Sequence, residues 1–275
     1  MSDEYLVVGA SGMVGRRVVA ELRRRDLPVR PAGRSGPTVF DWERPETWAP
    51  ALAGVERAYL LWPQGTTQPQ HRVAEFVSAV AGTSLRRLVL LSAYGVEYAD
   101  GSGPRKAEQA VQDSDLDWTI LRPNFFLQNF SEGFYTHTIR TRRTVEVPAG
   151  DAAVSFVDTR DIAAVAAVAL TTEGHAGRGY TITGPAAVTF AEVAAALTAA
   201  GHPVTYRDVT PAQTREALVA AGIAPDYADL LLGIYARAAA GGNAAVTDAV
   251  QRVTGRPARD LATYLRDTIA EGLIP

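Results

Sequence analysis

A chain of 275 residues with 47% hydrophobic and 21% charged side chains can bury a full core, and its length fits one large domain or one domain with a smaller lobe. A net charge of -3 points away from nucleic acid, and the short basic clusters at 23–25 and 140–143 read as solvated faces. The absence of cysteine excludes disulfides, thiolate nucleophiles and cysteine metal sites.

Leu6, Val7 and Val8 form an apolar run, Gly9, Gly12 and Gly15 follow at spacing G-x-x-G-x-x-G, and Val14, Val18 and Leu22 then recur every four residues. That order predicts a strand, a tight turn and a helix. Gly9 permits a backbone conformation closed to residues with a Cβ, Gly12 lets the chain approach a pyrophosphate, and Gly15 lets the helix pack closely on the strand. The helix N-terminus offers N–H groups and partial positive charge to phosphates. The turn Gly9-Ala10-Ser11-Gly12-Met13-Val14-Gly15 is therefore read as a dinucleotide site, with a glycine-rich turn that only packs as the alternative.

A second strand at 28–32 ends at Gly33-Arg34-Ser35. An NAD site carries an acidic residue here to bind the ribose hydroxyls, whereas the guanidinium of Arg34 suits a 2′-phosphate, so NADP is favoured. A third strand is expected at 38–40, with Asp41 and Trp42 at its end bordering the adenine. A brief helix opened by Pro45 precedes a fourth strand at 57–61. In a parallel sheet the ligand lies over the carboxyl ends of the strands, which makes Leu61, Trp62 and Pro63 expected neighbours of cofactor or substrate. Plain packing is the competing role for Trp62.

A helix at 68–80 leads to an apolar strand at 87–91, which ends in Ser92-Ala93-Tyr94-Gly95 at the same sheet edge. After a loop, a helix over 104–114 carries Lys106 near its start. Lys106 is the only lysine among 27 basic residues, which makes this ammonium a candidate for a role a guanidinium fills badly, with chance as the competitor. The next strand, 117–121, runs into Arg122-Pro123-Asn124-Phe125-Phe126-Leu127-Gln128-Asn129-Phe130. These aromatic and amide side chains look like the wall of a flat hydrophobic pocket, with at least one phenylalanine expected in the core.

Beyond Ser131 the pattern predicts a helix to 140, strands at 144–147 and 154–157, and an alanine-rich helix to 170 with Asp158 as N-cap. A strand at 179–183 and a helix over 190–200 follow, the latter capped by Thr189 with Glu192 at the capping-box position. A strand at 204–209 precedes helices to 273, broken at 240–243. No internal repeat is present. The four histidines, His71, His137, His175 and His202, lack ligand spacing and imply no metal site. No apolar run is long enough to cross a bilayer, and no charged-then-apolar leader precedes the first strand, so a cytoplasmic protein without membrane or nucleic-acid partners is expected.

The motifs V-V-G-A-S-G-M-V-G, A-G-R-S, F-D-W, L-V-L-L-S-A, T-I-L-R-P-N-F-F-L-Q-N-F, F-V-D-T-R-D-I-A and G-P with the following T-F-A-E-V-A span nearly the whole chain. In their combination the sequence resembles the NmrA-like branch of the atypical short-chain dehydrogenases, in particular the small NADPH-dependent quinone reductases and, more closely, the agroclavine dehydrogenase group. The resemblance implies an α/β, Rossmann-like, doubly wound parallel sheet over 1–185 and a smaller, mostly helical substrate lobe over 186–275, to which 131–152 contributes. It implies that the glycine turn, Arg34 and Ser35 hold NADP(H), and that Leu61 to Pro63 and Ser92 to Tyr94 flank its ribose and nicotinamide. Pro123, Asn124, Phe125 and Phe126 then close over the nicotinamide, and the substrate meets Trp62, Tyr94, Phe125, Phe126, Asn129 and Phe130.

The sequence departs from that pattern in its acid–base residues. Neither Tyr94 nor Tyr98 has lysine four residues later, so the Y-x-x-x-K pair of ordinary short-chain dehydrogenases is absent, and Pro104 stands where many quinone-reductase-like relatives have histidine, four residues before Glu108. Tyr94 or Tyr98 is the candidate weak acid, and Lys106 the candidate to bind the ribose or orient the substrate. Family enzymes move hydride to a quinone, a conjugated double bond or an iminium carbon, and the last needs no proton donor at the moment of transfer. The expectation is an NADPH-dependent reductase of a small, flat, unsaturated molecule in secondary metabolism, as monomer or homodimer. The alternatives are a non-catalytic NAD(P)-sensing regulator that binds a protein, and a fold relative performing cyclisation or isomerisation.

Overall fold

The computed structural model describes residues 4–274. In chain order its elements begin with β1 (Tyr5–Val8), α1 (Gly15–Arg23), β2 (Val29–Ala32), α2 (Trp48–Leu52), β3 (Arg57–Leu61), α3 (Gln70–Val80), β4 (Arg87–Leu91), α4 (Gly103–Gln112) and β5 (Asp117–Pro123). They continue with α5 (Thr136–Arg142), β6 (Thr144–Val147), β7 (Ala153–Val154), α6 (Thr159–Thr171), β8 (Arg178–Ile182), β9 (Val188–Thr189) and α7 (Phe190–Ala199). The last are β10 (Thr205–Asp208), α8 (Pro211–Ala220), α9 (Pro225–Ala239), α10 (Ala249–Thr254) and α11 (Leu261–Ala270). No helix among the described residues is long and apolar enough to cross a membrane.

The chain forms two compact units. The first comprises Met1–Pro123, Thr159–Ile182 and Ala249–Arg256, and the second Asn124–Asp158, Thr183–Asp248 and Pro257–Pro275. The units thus interleave along the chain, whereas the sequence reading draws one boundary at 185 with an added segment at 131–152.

The first unit is built on a six-stranded parallel sheet in the order β2-β1-β3-β4-β5-β8. Val7, Tyr59, Val89 and Thr119 lie in register across it, beside the row Leu6, Ala58, Leu88 and Trp118. Side chains alternate across a strand, so the two rows face opposite sides. The Leu6 row packs with Trp48, Phe76, Ala107 and Val111 of α2, α3 and α4. Helices α1 and α6 pack on each other, and α6 also meets β3, β4 and β5. Cover on both faces is why these strands read as nearly continuous apolar runs. Strand order reverses at β1, with β2 on one side and β3 on the other, and a ligand crevice in such sheets opens outside the carboxyl ends at that switch point.

The expected third strand at 38–40 does not form. Val39 makes one isolated bridge with Gly33, and the Phe40 N–H donates to the Gly33 carbonyl at 2.8 Å. Gly36 at φ +106° and Pro37 bend the segment back on itself, while the Phe40 ring is drawn into a cluster with Trp42 (centroids 5.2 Å apart), Trp48 (6.1 Å) and Phe76 (5.9 Å). Two other elements also shift. The strand expected at 154–157 shrinks to Ala153–Val154 because only those residues pair with β9, and the helix expected from 131 begins at Thr136.

The second unit pairs β6 with β10 in parallel and β7 with β9 antiparallel. Its helix α7 opens on the capping box read from the sequence, with the Thr189 side chain accepting from Glu192 N–H at 3.0 Å and the Glu192 carboxylate accepting from Thr189 N–H. Directly after that cap, Phe190 is fully buried, its ring 5.0 Å from Phe156, 5.8 Å from Tyr135 and 6.1 Å from Phe130. Replacing Phe190 with Ala removes the centre of this aromatic packing and is expected to cost about 3–5 kcal/mol in urea denaturation. Phe134→Ala, at a ring that is 59% exposed, is expected to stay within about 0.5 kcal/mol of the native protein.

Candidate functional site

At the carboxyl end of β1 the backbone turns at Gly9, whose φ of +72° is unfavourable for a residue with a Cβ. A Cβ there would lie 2.5 Å from the Leu61 side chain at the end of β3. At Gly15 the constraint is tighter, since a Cβ would lie 2.1 Å from the Gly9 carbonyl oxygen. At Gly15 the obstacle is the backbone of the turn itself, and at Gly9 it is a side chain from the neighbouring strand. The Gly12 N–H donates to Gly9 O at 2.9 Å, the Ala10 N–H donates to Ala32 O at 3.1 Å, and Arg17 holds the Met13 carbonyl at 2.8 Å. The amides of Ser11, Met13 and Val14 find no acceptor among the described residues. Helix α1 behind them has neither a side-chain cap nor an acidic residue in its first turn. Amides with no acceptor among the described residues, at a helix terminus with no acidic residue in its first turn and behind a turn built on three glycines, fit the diphosphate of a dinucleotide.

Arg34 and Ser35 stand exposed on the loop after β2, and the Arg34 guanidinium makes no ion pair or hydrogen bond among the described residues. It is available for an anion. Asp41 is half-buried, its carboxylate accepting from the Glu43 N–H at 3.1 Å. The Trp42 indole donates to the Leu61 carbonyl at 3.1 Å and packs edge-on against Phe40 and Phe76, so it braces the end of β3 from within the aromatic cluster. Trp62 is half-buried against the same core, and Pro63 is buried.

Past β4 the pairing with β5 continues, with Ser92 N–H donating to Leu121 O at 2.7 Å and Tyr94 N–H to Pro123 O at 3.0 Å. Ala93 and Tyr94 are half-buried there, and Gly95 at φ +84° turns the chain away. The Ser92 hydroxyl points elsewhere. It donates to Oε1 of Glu108, a fully buried carboxylate on α4. Arg122 Nε donates to the same oxygen at 2.8 Å, while Arg122 Nη2 and Arg105 Nη1 reach Glu108 Oε2 at 2.7 and 3.1 Å. Burial opposes the charge on Arg122, but the hydrogen bonds and charge of Glu108, followed by the charges of Glu97 and Tyr98, outweigh it and hold the guanidinium above its ordinary pKa. This network was not assigned from the sequence. The available signal was a lone Glu at a position otherwise buried on α4, four residues after Pro104.

The candidate acid–base residues are dispersed. Tyr94 sits half-buried at the sheet edge, Tyr98 is 79% exposed, and Lys106 is exposed on α4 with no ion pair among the described residues.

In the second unit, the Asn124 amide is fully engaged. Its Nδ2 donates to Ser155 Oγ and Asn243 O, both at 2.8 Å, and its Oδ1 accepts from Asn243 Nδ2 at 2.7 Å and from the Phe125 N–H at 3.0 Å. Its side chain therefore has no donor or acceptor left over for a ligand. Phe125 and Phe126 are half-buried, and Phe125 lies 5.8 Å from the Tyr235 ring. Phe130 is a correction to the expected pocket wall. It is fully buried, 5.0 Å from Tyr135 and 5.6 Å from Phe156, and belongs to the core. Asn129 is buried too, against the backbone at Gly133, where a Cβ would meet its Oδ1 at 2.4 Å. A nearby apolar cavity between Leu127, Phe156, Val188 and Leu261 measures about 230 Å³, below the roughly 300 Å³ at which ligand pockets begin. Tyr135 and Tyr235 share a hydrogen bond at 3.2 Å, and burial first of all lifts Tyr235 to about 12 and Tyr135 well above the ordinary phenol value.

Four likenesses bear on this geometry. A family model described as NAD(P)H-binding matches residues 9–173. The chain is 36% identical over 278 residues to the NAD(P)H azoreductase of Xenophilus azovorans, covering 95% of this chain and 96% of that protein. It is 28% identical over 238 residues to the agroclavine dehydrogenase of Claviceps purpurea, covering 81% of this chain and 82% of that protein. Among solved structures, the NADPH-dependent quinone oxidoreductase of Escherichia coli in complex with NADPH shares the fold at a TM-score of 0.79 and 23% identity, over 97% of this chain and 99% of that one.

Gly15→Ala is expected to abolish NAD(P)H binding in a fluorescence titration, because its methyl group forces the turn apart at the Gly9 carbonyl. Gly12→Ala, whose Cβ would stand 3.3 Å from that same oxygen, is expected to weaken binding less.

Proposed function

The chain belongs to the NAD(P)H-binding family, and from that premise we propose that it is an NADPH-dependent reductase that delivers hydride to an electron-poor small molecule: an azo compound, a quinone, a conjugated enone, or an imine or iminium. The observation that carries this reading is the combination of a helix terminus with no side-chain cap or first-turn acid, behind Gly9, Gly12 and Gly15, with a guanidinium at Arg34 that has no partner among the described residues. The glycine turn and the α1 amides hold the diphosphate, and Arg34 with Ser35 holds the adenosine 2′-phosphate. Leu61, Trp62, Ala93 and Tyr94 line the edge where the nicotinamide belongs by the switch-point rule. When bound, the reduced nicotinamide supplies the hydride.

The acceptor class follows from what the chain lacks at that edge. A ketone needs its oxygen protonated as hydride arrives, and neither tyrosine candidate has a lysine four residues on. A quinone or an azo bond spreads the incoming charge over a conjugated system, and an iminium is neutralised by it. For such acceptors, positioning supplies most of the rate, and Tyr94 or water delivers the proton afterwards. The likeness to an azoreductase supports acceptors of this kind.

Loss of NADPH absorbance against a panel of azo dyes, quinones, enones and cyclic imines tests the assignment. Turnover is expected with at least one of these classes and not with simple ketones; ketone reduction alone would overturn it. Arg34→Ala is expected to weaken NADPH by about 10- to 100-fold, the worth of a charge-assisted contact, and NADH by less than about twofold. Equal losses for the two cofactors would remove Arg34 from its role.

A further inference from the structure

Glu108 is a fully buried side chain of the first unit that is engaged on every side. It is fully buried at the middle of α4, and each of its oxygens accepts two hydrogen bonds: Oε1 from Ser92 Oγ and Arg122 Nε, Oε2 from Arg122 Nη2 and Arg105 Nη1. Four donors on two oxygens occupy the acceptor sites of the carboxylate. The network extends beyond Glu108. Arg122 Nε lies 3.6 Å from Glu97 Oε2, Glu97 Oε1 accepts from Thr181 of β8 at 3.1 Å, and a Cβ on Gly179 of β8 would stand 2.5 Å from Arg122 Nη1. One carboxylate thus ties α4, the end of β5 and the turn after β4 to a common point.

Its position is unusual for a stabilising device. A buried ion pair gives little net stability, since desolvation offsets much of the attraction. What it does provide is a fixed geometry, and the atoms it fixes are at the carboxyl edge of β4 and β5, where Ser92, Ala93 and Tyr94 run. We infer that Glu108 is a positioning residue for hydride transfer: acting through Ser92 and Arg122, it holds the 92–94 turn at the height the nicotinamide and acceptor require, without touching either. The inference rests on the reductase reading above. The diphosphate and 2′-phosphate contacts are made elsewhere, at the glycine turn and Arg34, so a change at Glu108 or Ser92 separates cofactor affinity from turnover.

Ser92→Ala is the mild probe, because it deletes one hydrogen bond and leaves the bidentate Glu108–Arg122 pair in place. Glu108→Gln is the severe probe, because its amide turns two donors toward guanidinium groups. Both are measured with NADPH and whichever acceptor the native protein reduces, alongside melting temperature, NADPH affinity by fluorescence titration, and the isotope effect with NADPH deuterated at the transferring position. For folded Ser92→Ala the expected result is NADPH affinity within about twofold of native, kcat lowered about tenfold with little change in acceptor KM, and a larger isotope effect, as hydride transfer becomes the slow step in a misplaced complex. Folded Glu108→Gln is expected to show the same split more strongly. Native kcat and isotope effect in Ser92→Ala would overturn the inference, and so would a fall in NADPH affinity in step with kcat and melting temperature, which marks a purely structural role. A native protein that oxidises NADPH with no acceptor overturns the reductase reading and this inference with it; an active native protein with an indifferent Ser92→Ala overturns this inference alone.

Discussion

At the carboxyl end of β1, Gly15 lies so near the carbonyl of Gly9 that a single methyl group on it would stand at 2.1 Å from that oxygen. The direction of α1, and hence of the amides at its N-terminus, depends on that contact. It lets the helix start almost against the end of β1, where the N–H groups of Ser11, Met13 and Val14 meet no acceptor among the described residues. Leu61 closes the other side, filling the space a Gly9 side chain would need. The end of β3 is itself held by the Trp42 indole on the Leu61 carbonyl, which couples the cradle to the aromatic cluster beneath α2 and α3.

The other end of the same sheet edge is organised by charge. The Glu108 carboxylate and the Arg122 guanidinium face one another with two short, parallel bonds, a geometry that planar forks favour and lysine does not reproduce. In a chain whose cations are almost all arginine, such a pair is easily drawn from composition, but its placement between β4, β5 and α4 is specific. The only lysine, Lys106, stands two residues away on the same helix and is exposed, because the helical turn that buries Ala107 and Glu108 carries it outward. Rarity in the sequence therefore did not coincide with engagement in the structure.

In the second unit the aromatic residues after β5 divide between two jobs. Phe130 is spent on the core with Phe156, Phe190 and Tyr135, and the amide of Asn124 is spent on Ser155 and Asn243. Phe125 and Phe126 keep part of their rings uncovered. A run of alternating aromatic and amide residues is ambiguous for this reason. The segment holds only one four-residue 3₁₀ helix, Leu127–Phe130, too short to set a period from which to read which side chains point inward.

By itself the sequence determined the strand-turn-helix at the start, the alternation of strands and helices that makes a parallel sheet, the capping box at Thr189 and the exposed arginine after β2. All of these rest on local rules: apolar period, glycine at a required φ, and a cap three residues from its partner. Tertiary structure alone decided the rest. The segment at 38–40 lost its strand because Phe40 gained more by joining three other rings than by pairing along a ladder. Ser92 turned its hydroxyl to a carboxylate sixteen residues away, and Glu108 met Arg122 across fourteen. Such pairings leave no local period or spacing, because what brings them together is the stacking of α4 on the sheet and the register of β5 on β4.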